Sequence, residues 1–135
     1  MKSTTSGTNL LRAYFEANRL MLTGRDELPT TILNTFLGVA LWGHNNPKDE
    51  PLTIQELSDK VGLPYTTVSR HLRYLGEMER VGKPGYGLVD TEVYVLNRRQ
   101  KVVKLTPKGR NLVDQLRYIL GETHGSATEG DIVAG

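Results

Sequence analysis

Two short stretches of this sequence carry most of its chemistry. In YTTVSRHLRYL (residues 65–75), Thr66, Thr67, Ser69, Arg70 and Arg73 fall on one side of a helix if Val68, Leu72 and Leu75 fall on the other. Hydroxyls and guanidinium groups on one helical face can hydrogen-bond phosphate oxygens or fork onto a base edge such as guanine O6 and N7. The second stretch, NRRQKVVK, adds Arg98, Arg99, Lys101 and Lys104. Its paired arginines sit where a hairpin would turn, which suits a phosphate or a narrow groove. Either set alone also reads as an ordinary solvated surface.

Charge agrees with a polyanionic partner. The net charge is +2, yet residues 53–110 hold eleven Lys or Arg against six Asp or Glu, or +5, which leaves −3 elsewhere. Other chemistries find little support. There is no cysteine, so disulfides, thiolate metal sites and thiol nucleophiles are excluded. His44, His71 and His124 lack the spacing and acidic company of metal ligands, and His71 is expected at the edge of the helix packing or against a phosphate. Asp49 and Glu50 read as a solvated loop pair. GKPGYG (residues 82–87) precedes a strand and lacks the G-K-[ST] ending of a phosphate-cradling loop, so it reads as a flexible turn. No enzyme, cofactor or metal site is expected. ILNTFLGVALW is too short and interrupted to span a bilayer, and no secretory h-region opens the chain, so a cytoplasmic location without a membrane partner is expected.

These residues need elements to position them. Leu10, Tyr14, Ala17 and Met21 predict an apolar stripe on a first helix over 8–22, within an N-terminal segment 8–24. Residues 30–42 predict a second, largely buried helix with Ile32, Leu33, Phe36, Val39, Ala40 and Trp42. Core packing is the favoured reading of Trp42 and Phe36, and lining of a small-molecule pocket the other. Thr53 and Glu56 form a T-x-x-E capping box flanked by Leu52 and Leu57, which fixes the start of a third helix. Gly62 ends it, and a fourth helix over 64–76 follows within a few residues, which suggests a helix-turn-helix. Residues 79–87 are turn-rich. The alternating Val89, Thr91, Val93 and Val95 and the run KVVKLT predict a β-hairpin over 88–105. Thr106-Pro107 opens a last helix with Leu112, Val113, Leu116, Ile119 and Leu120 inward. The segment 121–135 reads as a flexible tail.

The predicted fold class is therefore mainly α with a small β-hairpin wing (α+β): a winged helix-turn-helix over 30–120 with flanking N- and C-terminal helices, in a single domain spanning 1–135. LTIQELSDKVGLPYTTVSRHLRYL together with NRRQKVVKLTPKG resembles the DNA-binding core of the MarR family of transcriptional regulators, whose wing reads D-x-R, several residues, then L-T-x-x-G. The matching positions are Asn97, Arg99, Leu105, Thr106 and Gly109, and the helix-turn-helix half is equally similar to ArsR-type winged helices. The sequence departs from the pattern at Asn97, where the family has aspartate, at Pro64, near its usual capping serine, and in a longer MERVGKPGYG connection.

The resemblance implies a sequence-specific double-stranded DNA-binding regulator, often a repressor, acting as a homodimer and responding in some members to a small-molecule effector. Helix 64–76 would enter the major groove and the wing would reach the backbone or minor groove. DNA contacts would then fall to Thr66, Thr67, Ser69, Arg70, Arg73, Arg98, Arg99, Lys101 and Lys104, and dimerisation to the first and last helices. Two rivals stand beside this reading: a winged helix used as a protein-interaction module, and a DNA-binding replication or partition factor of a mobile element.

Overall fold

A computed structural model describes residues 7–21, 28–43, 50–80 and 82–124. The elements run α1 (Gly7–Met21), α2 (Thr30–Gly38) continued by a π-helical turn (Val39–Gly43), β1 (Leu52–Thr53), α3 (Ile54–Val61), α4 (Tyr65–Leu75), β2 (Met78–Arg80), β3 (Lys83–Pro84), β4 (Val89–Val93), β5 (Lys101–Leu105) and α5 (Pro107–His124). They fall into two compact units, residues 28–111 and, among the described residues, 7–21 with 112–124.

Residues 28–111 hold the core. Phe36, Val39, Ile54, Leu57, Val68, Leu75, Val89 and Val103 are fully buried there, the non-directional burial that outweighs chain entropy in a domain this small. α2, α3 and α4 pack mutually. Gly38 lets α2 approach α3 closely, because a Cβ there would come within 2.8 Å of the Leu57 and Val61 side chains. The α3 start is as the sequence predicts: the Thr53 hydroxyl accepts from the Glu56 amide at 3.0 Å, and the Glu56 carboxylate accepts from the Thr53 amide at 2.9 Å. Gly62, at φ 74°, terminates the helix in the left-handed conformation that glycine adopts without penalty.

A three-stranded antiparallel sheet in the order β1–β5–β4 closes the unit. Leu52 pairs with Val103, and the β4–β5 hairpin keeps an even register from Val89 opposite Leu105 to Val93 opposite Lys101. Only Val89 of β4 is buried, whereas Val102, Val103 and Leu105 of β5 are. Four of the five β4 residues are exposed, and the distal hairpin projects from the core.

Residues 78–80 and 82–88 form a strap that local sequence does not signal. β2 and β3 pair with each other, and the following residues dock on the end of α4, where Tyr86, Leu88 and Gly87 amides donate to the carbonyls of Tyr74 (2.9 Å), Leu75 (2.7 Å) and Gly76 (2.8 Å). These carbonyls lie at the C-terminus of α4, where in-helix partners run out. Gly85 is required by this approach, since a Cβ there would collide with the Gly76 carbonyl oxygen and lie 2.7 Å from that of Tyr74. The segment read as a flexible turn is thus a helix-capping strap.

Within the other unit, α1 buries Ala13, Ala17 and Met21 and exposes Leu10, Leu11, Tyr14 and Phe15. This corrects the predicted stripe: Ala17 and Met21 belong to it, but Leu10 and Tyr14 face outward and the small Ala13 takes the inner face. Residues 22–24 lie outside the described residues. Val113 and Leu116 of α5 are buried, while Tyr118 and Leu120 are exposed. The helix continues to His124, four residues into the expected tail; residues 125–135 lie outside the described residues, as do His44 and Asp49.

Candidate nucleic-acid interface

α4 is seated by its apolar side. Val68, Leu72 and Leu75 are buried, and they turn Thr66, Arg70 and Arg73 outward, with Thr67 and Ser69 half-buried at the margins. His71 is not at the edge of the packing as expected. It is only 6% exposed and hydrogen-bonds through Nδ1 to the hydroxyl of Thr35 on α2 at 2.9 Å. Burial, and secondarily the nearby Arg70 guanidinium, hold its pKa below the usual 6.5. α4 is therefore pinned to α2 through the His71–Thr35 hydrogen bond, and the lowered pKa favours the neutral imidazole there. Pro64 precedes the first turn and offers no side-chain cap, in keeping with the departure seen in the sequence.

A groove of about 350 Å³ runs between α4 and the hairpin, lined by Ser69, Arg73 and Lys101 together with Glu77, Asp90 and Thr91. Of the two acidic neighbours, Glu77 follows the C-terminus of α4 and Asp90 lies on β4, so their approach to the basic groove exists only once α4 and the hairpin have packed. Lys104 lies 4.0 Å from Glu92 on the adjacent strand, so its charge is partly offset, although both side chains are exposed and the pair is weak.

At the end of the hairpin, Arg98 and Arg99 are exposed. Asn97 supports them differently from a buttressing carboxylate, since its side-chain oxygen accepts from the Arg99 amide at 3.1 Å and fixes the turn rather than the guanidinium. Ser69, Arg73 and Lys101 are thus brought together in the groove. Thr66, Thr67 and Arg70 lie on α4 outside it, as do the tip arginines on the hairpin. Trp42 does not join the core: it is 37% exposed and lies 5.6 Å from the Lys60 ammonium in a cation–π contact.

Comparison with solved structures decides the architecture. MepR of S. aureus, in a complex with DNA, superimposes with a TM-score of 0.60 over 85% of this chain and 78% of that chain, at 18% identity. The fold is a winged helix. A second MepR structure, bound to ethidium bromide, matches 87% of this winged helix and 76% of its own chain (TM-score 0.55, 20% identity). So does a protein of Pseudomonas aeruginosa described as a "probable transcriptional regulator", over 87% and 77% (TM-score 0.53, 18% identity). The family model "Bacterial regulatory protein, arsR family" matches residues 48–82, which contain α3 and α4. No curated protein matches the winged helix in sequence.

Among the described residues, no cluster of His, Asp or Glu could hold a metal ion, and no helix is long and apolar enough to cross a membrane.

Proposed function

We propose that this chain is a sequence-specific double-stranded DNA-binding transcriptional regulator that works as a repressor in the cytoplasm. The observation that carries the reading is the two-part basic surface: α4, locked to the core by Val68, Leu72 and Leu75, presents Thr66, Arg70 and Arg73, and the exposed wing presents Arg98 and Arg99. MepR, which shares the fold, has been solved bound to DNA. In this reading Thr66, Thr67, Ser69 and Arg70 meet base edges in the major groove, while Arg73, Lys101, Lys104 and the tip arginines contact phosphates and the adjacent groove.

The proposal includes a homodimer. Its support is the exposed Leu10, Leu11, Tyr14 and Phe15 of α1 and Tyr118 and Leu120 of α5, all within one unit and too many large apolar groups for an ordinary solvated surface. A small-molecule effector belongs to the same reading, supported by the MepR structure with ethidium bromide. Selection from a random duplex library tests the function. It should converge on a palindrome with half-sites about one helical turn (~10 bp) apart; absence of any enriched sequence would leave the protein-interaction module as the better account.

A further inference from the structure

The wing tip is built from two back-to-back turns that share Asn97. The Asn97 amide donates to the Tyr94 carbonyl at 3.1 Å, the Gln100 amide to the Asn97 carbonyl at 2.9 Å, and the Tyr94 amide to the Gln100 carbonyl at 2.9 Å, closing the loop. The second turn carries the exposed, cationic Arg98 and Arg99 at its corners. The first carries Val95 and Leu96, which are 81% and 83% exposed. No other large apolar side chain among the described residues is so exposed. Strand pairing ends at Val93 opposite Lys101, so nothing in the sheet covers them. A hydrogen-bonded loop thus holds an aliphatic corner beside a cationic one.

Resting on the DNA-binding reading above, we propose that this tip is a minor-groove wedge. Leu96, backed by Val95, enters a base step from the minor-groove side and partly unstacks it, while Arg98 and Arg99 hold the groove walls. A minor groove about 6 Å wide excludes a helix but admits a single turn corner. Apolar wedges flanked by basic residues are a known physical means of kinking a duplex by ~20–90°. The cost of unstacking is lowest at flexible TA and CA/TG steps, so the wedge confers sequence preference at a step that no hydrogen bond reads. A protein partner fits the tip less well, because two side chains fall far short of the ~800 Å² that a stable interface takes from each side. The adjacent arginines match phosphate instead.

The test uses the full chain and a ~30-bp duplex carrying the best selected site. Permanganate reactivity of its thymines reports unstacking, and energy transfer between its labelled ends reports bending. The Val95→Ser/Leu96→Ser variant should unfold at the same urea concentration as the wild type. Binding of the wild type should make one step outside the α4 footprint permanganate-reactive and bring the duplex ends closer. The double variant should bind with the same salt dependence but lose both signals, along with about tenfold of the preference for TA or CA/TG at that step. Arg99→Ala should instead weaken binding to all duplexes alike. Equal unstacking and bending by the wild type and the double variant, or binding without either signal in the wild type, overturns the wedge and leaves the DNA reading standing. Failure of the wild type to bind any duplex overturns both, and capture of a protein through the tip would then identify the other class of partner.

Discussion

Replacing Thr35 by valine should loosen the seat of α4 while preserving side-chain shape. The Thr35 hydroxyl is fully buried and lies 3.2 Å from the Thr31 carbonyl. The 2.9 Å bond to His71 Nδ1 runs in the direction set by which ring nitrogen carries the proton, and valine removes it in either tautomer. Valine leaves the buried His71 Nδ1 facing a methyl group in the core, with an expected loss of ~1–3 kcal/mol. His71→Leu removes the orphan along with its partner, so the pair should couple by about 1 kcal/mol in a double-mutant cycle. Urea unfolding reads this as a lower midpoint at unchanged slope. The sign of the pH effect is also fixed. His71 is held below 6.5 in the folded chain by burial and then by Arg70, so the unfolded chain binds the proton first. Wild-type stability is therefore full above ~pH 6.5 and falls as pH drops towards the lowered folded value, whereas His71→Leu should flatten that segment of the curve. An unchanged midpoint for Thr35→Val, with no coupling to His71, would refute the reasoning.

Other substitutions probe the remaining supports. Gly85→Ala drives a Cβ into the carbonyls of Gly76 and Tyr74, and should cost ~1–3 kcal/mol and speed amide exchange at Tyr86 and Gly87; wild-type exchange would dismiss the strap. Thr53→Ala loses the capping box and should lower stability by ~1 kcal/mol, measured by the same urea titration. Phe15→Glu or Leu11→Glu, at side chains 59% and 69% exposed, should convert a dimer to a monomer in sedimentation without loss of helicity. A persistent dimer would place the interface elsewhere.

What could be read from sequence alone follows the range of the interactions. The capping box of Thr53 and Glu56 and the stop at Gly62 were legible because each lies within one turn of chain. The outward set Thr66, Arg70 and Arg73 was legible because Val68, Leu72 and Leu75 fix the phase of the helix. α1 misled because its apolar residues circle the helix, and spacing alone cannot say that Ala13 and Ala17 face inward while Leu10 and Tyr14 do not. His71 was placed at the packing edge because its partner, Thr35, is remote in sequence. The strap was read as a loose turn for a related reason: its glycines serve a close approach to the carbonyls of α4, and that approach exists only in the folded chain. The hairpin was legible from its β-branched runs, but its first strand stops at Val93, and Val95 of the alternating set lies in the tip turn instead.

The central claim is that α4 and the wing grip duplex DNA together. Affinity for the selected duplex, measured by fluorescence anisotropy across a salt series, tests it most directly. Binding should weaken steeply as salt rises. Arg99→Ala should reduce the slope by about 1 and weaken all sequences alike, and Arg70→Ala should cost ~1–3 kcal/mol and relax the preference at one base pair. Salt-independent binding, or affinity unchanged in both variants, would contradict the account.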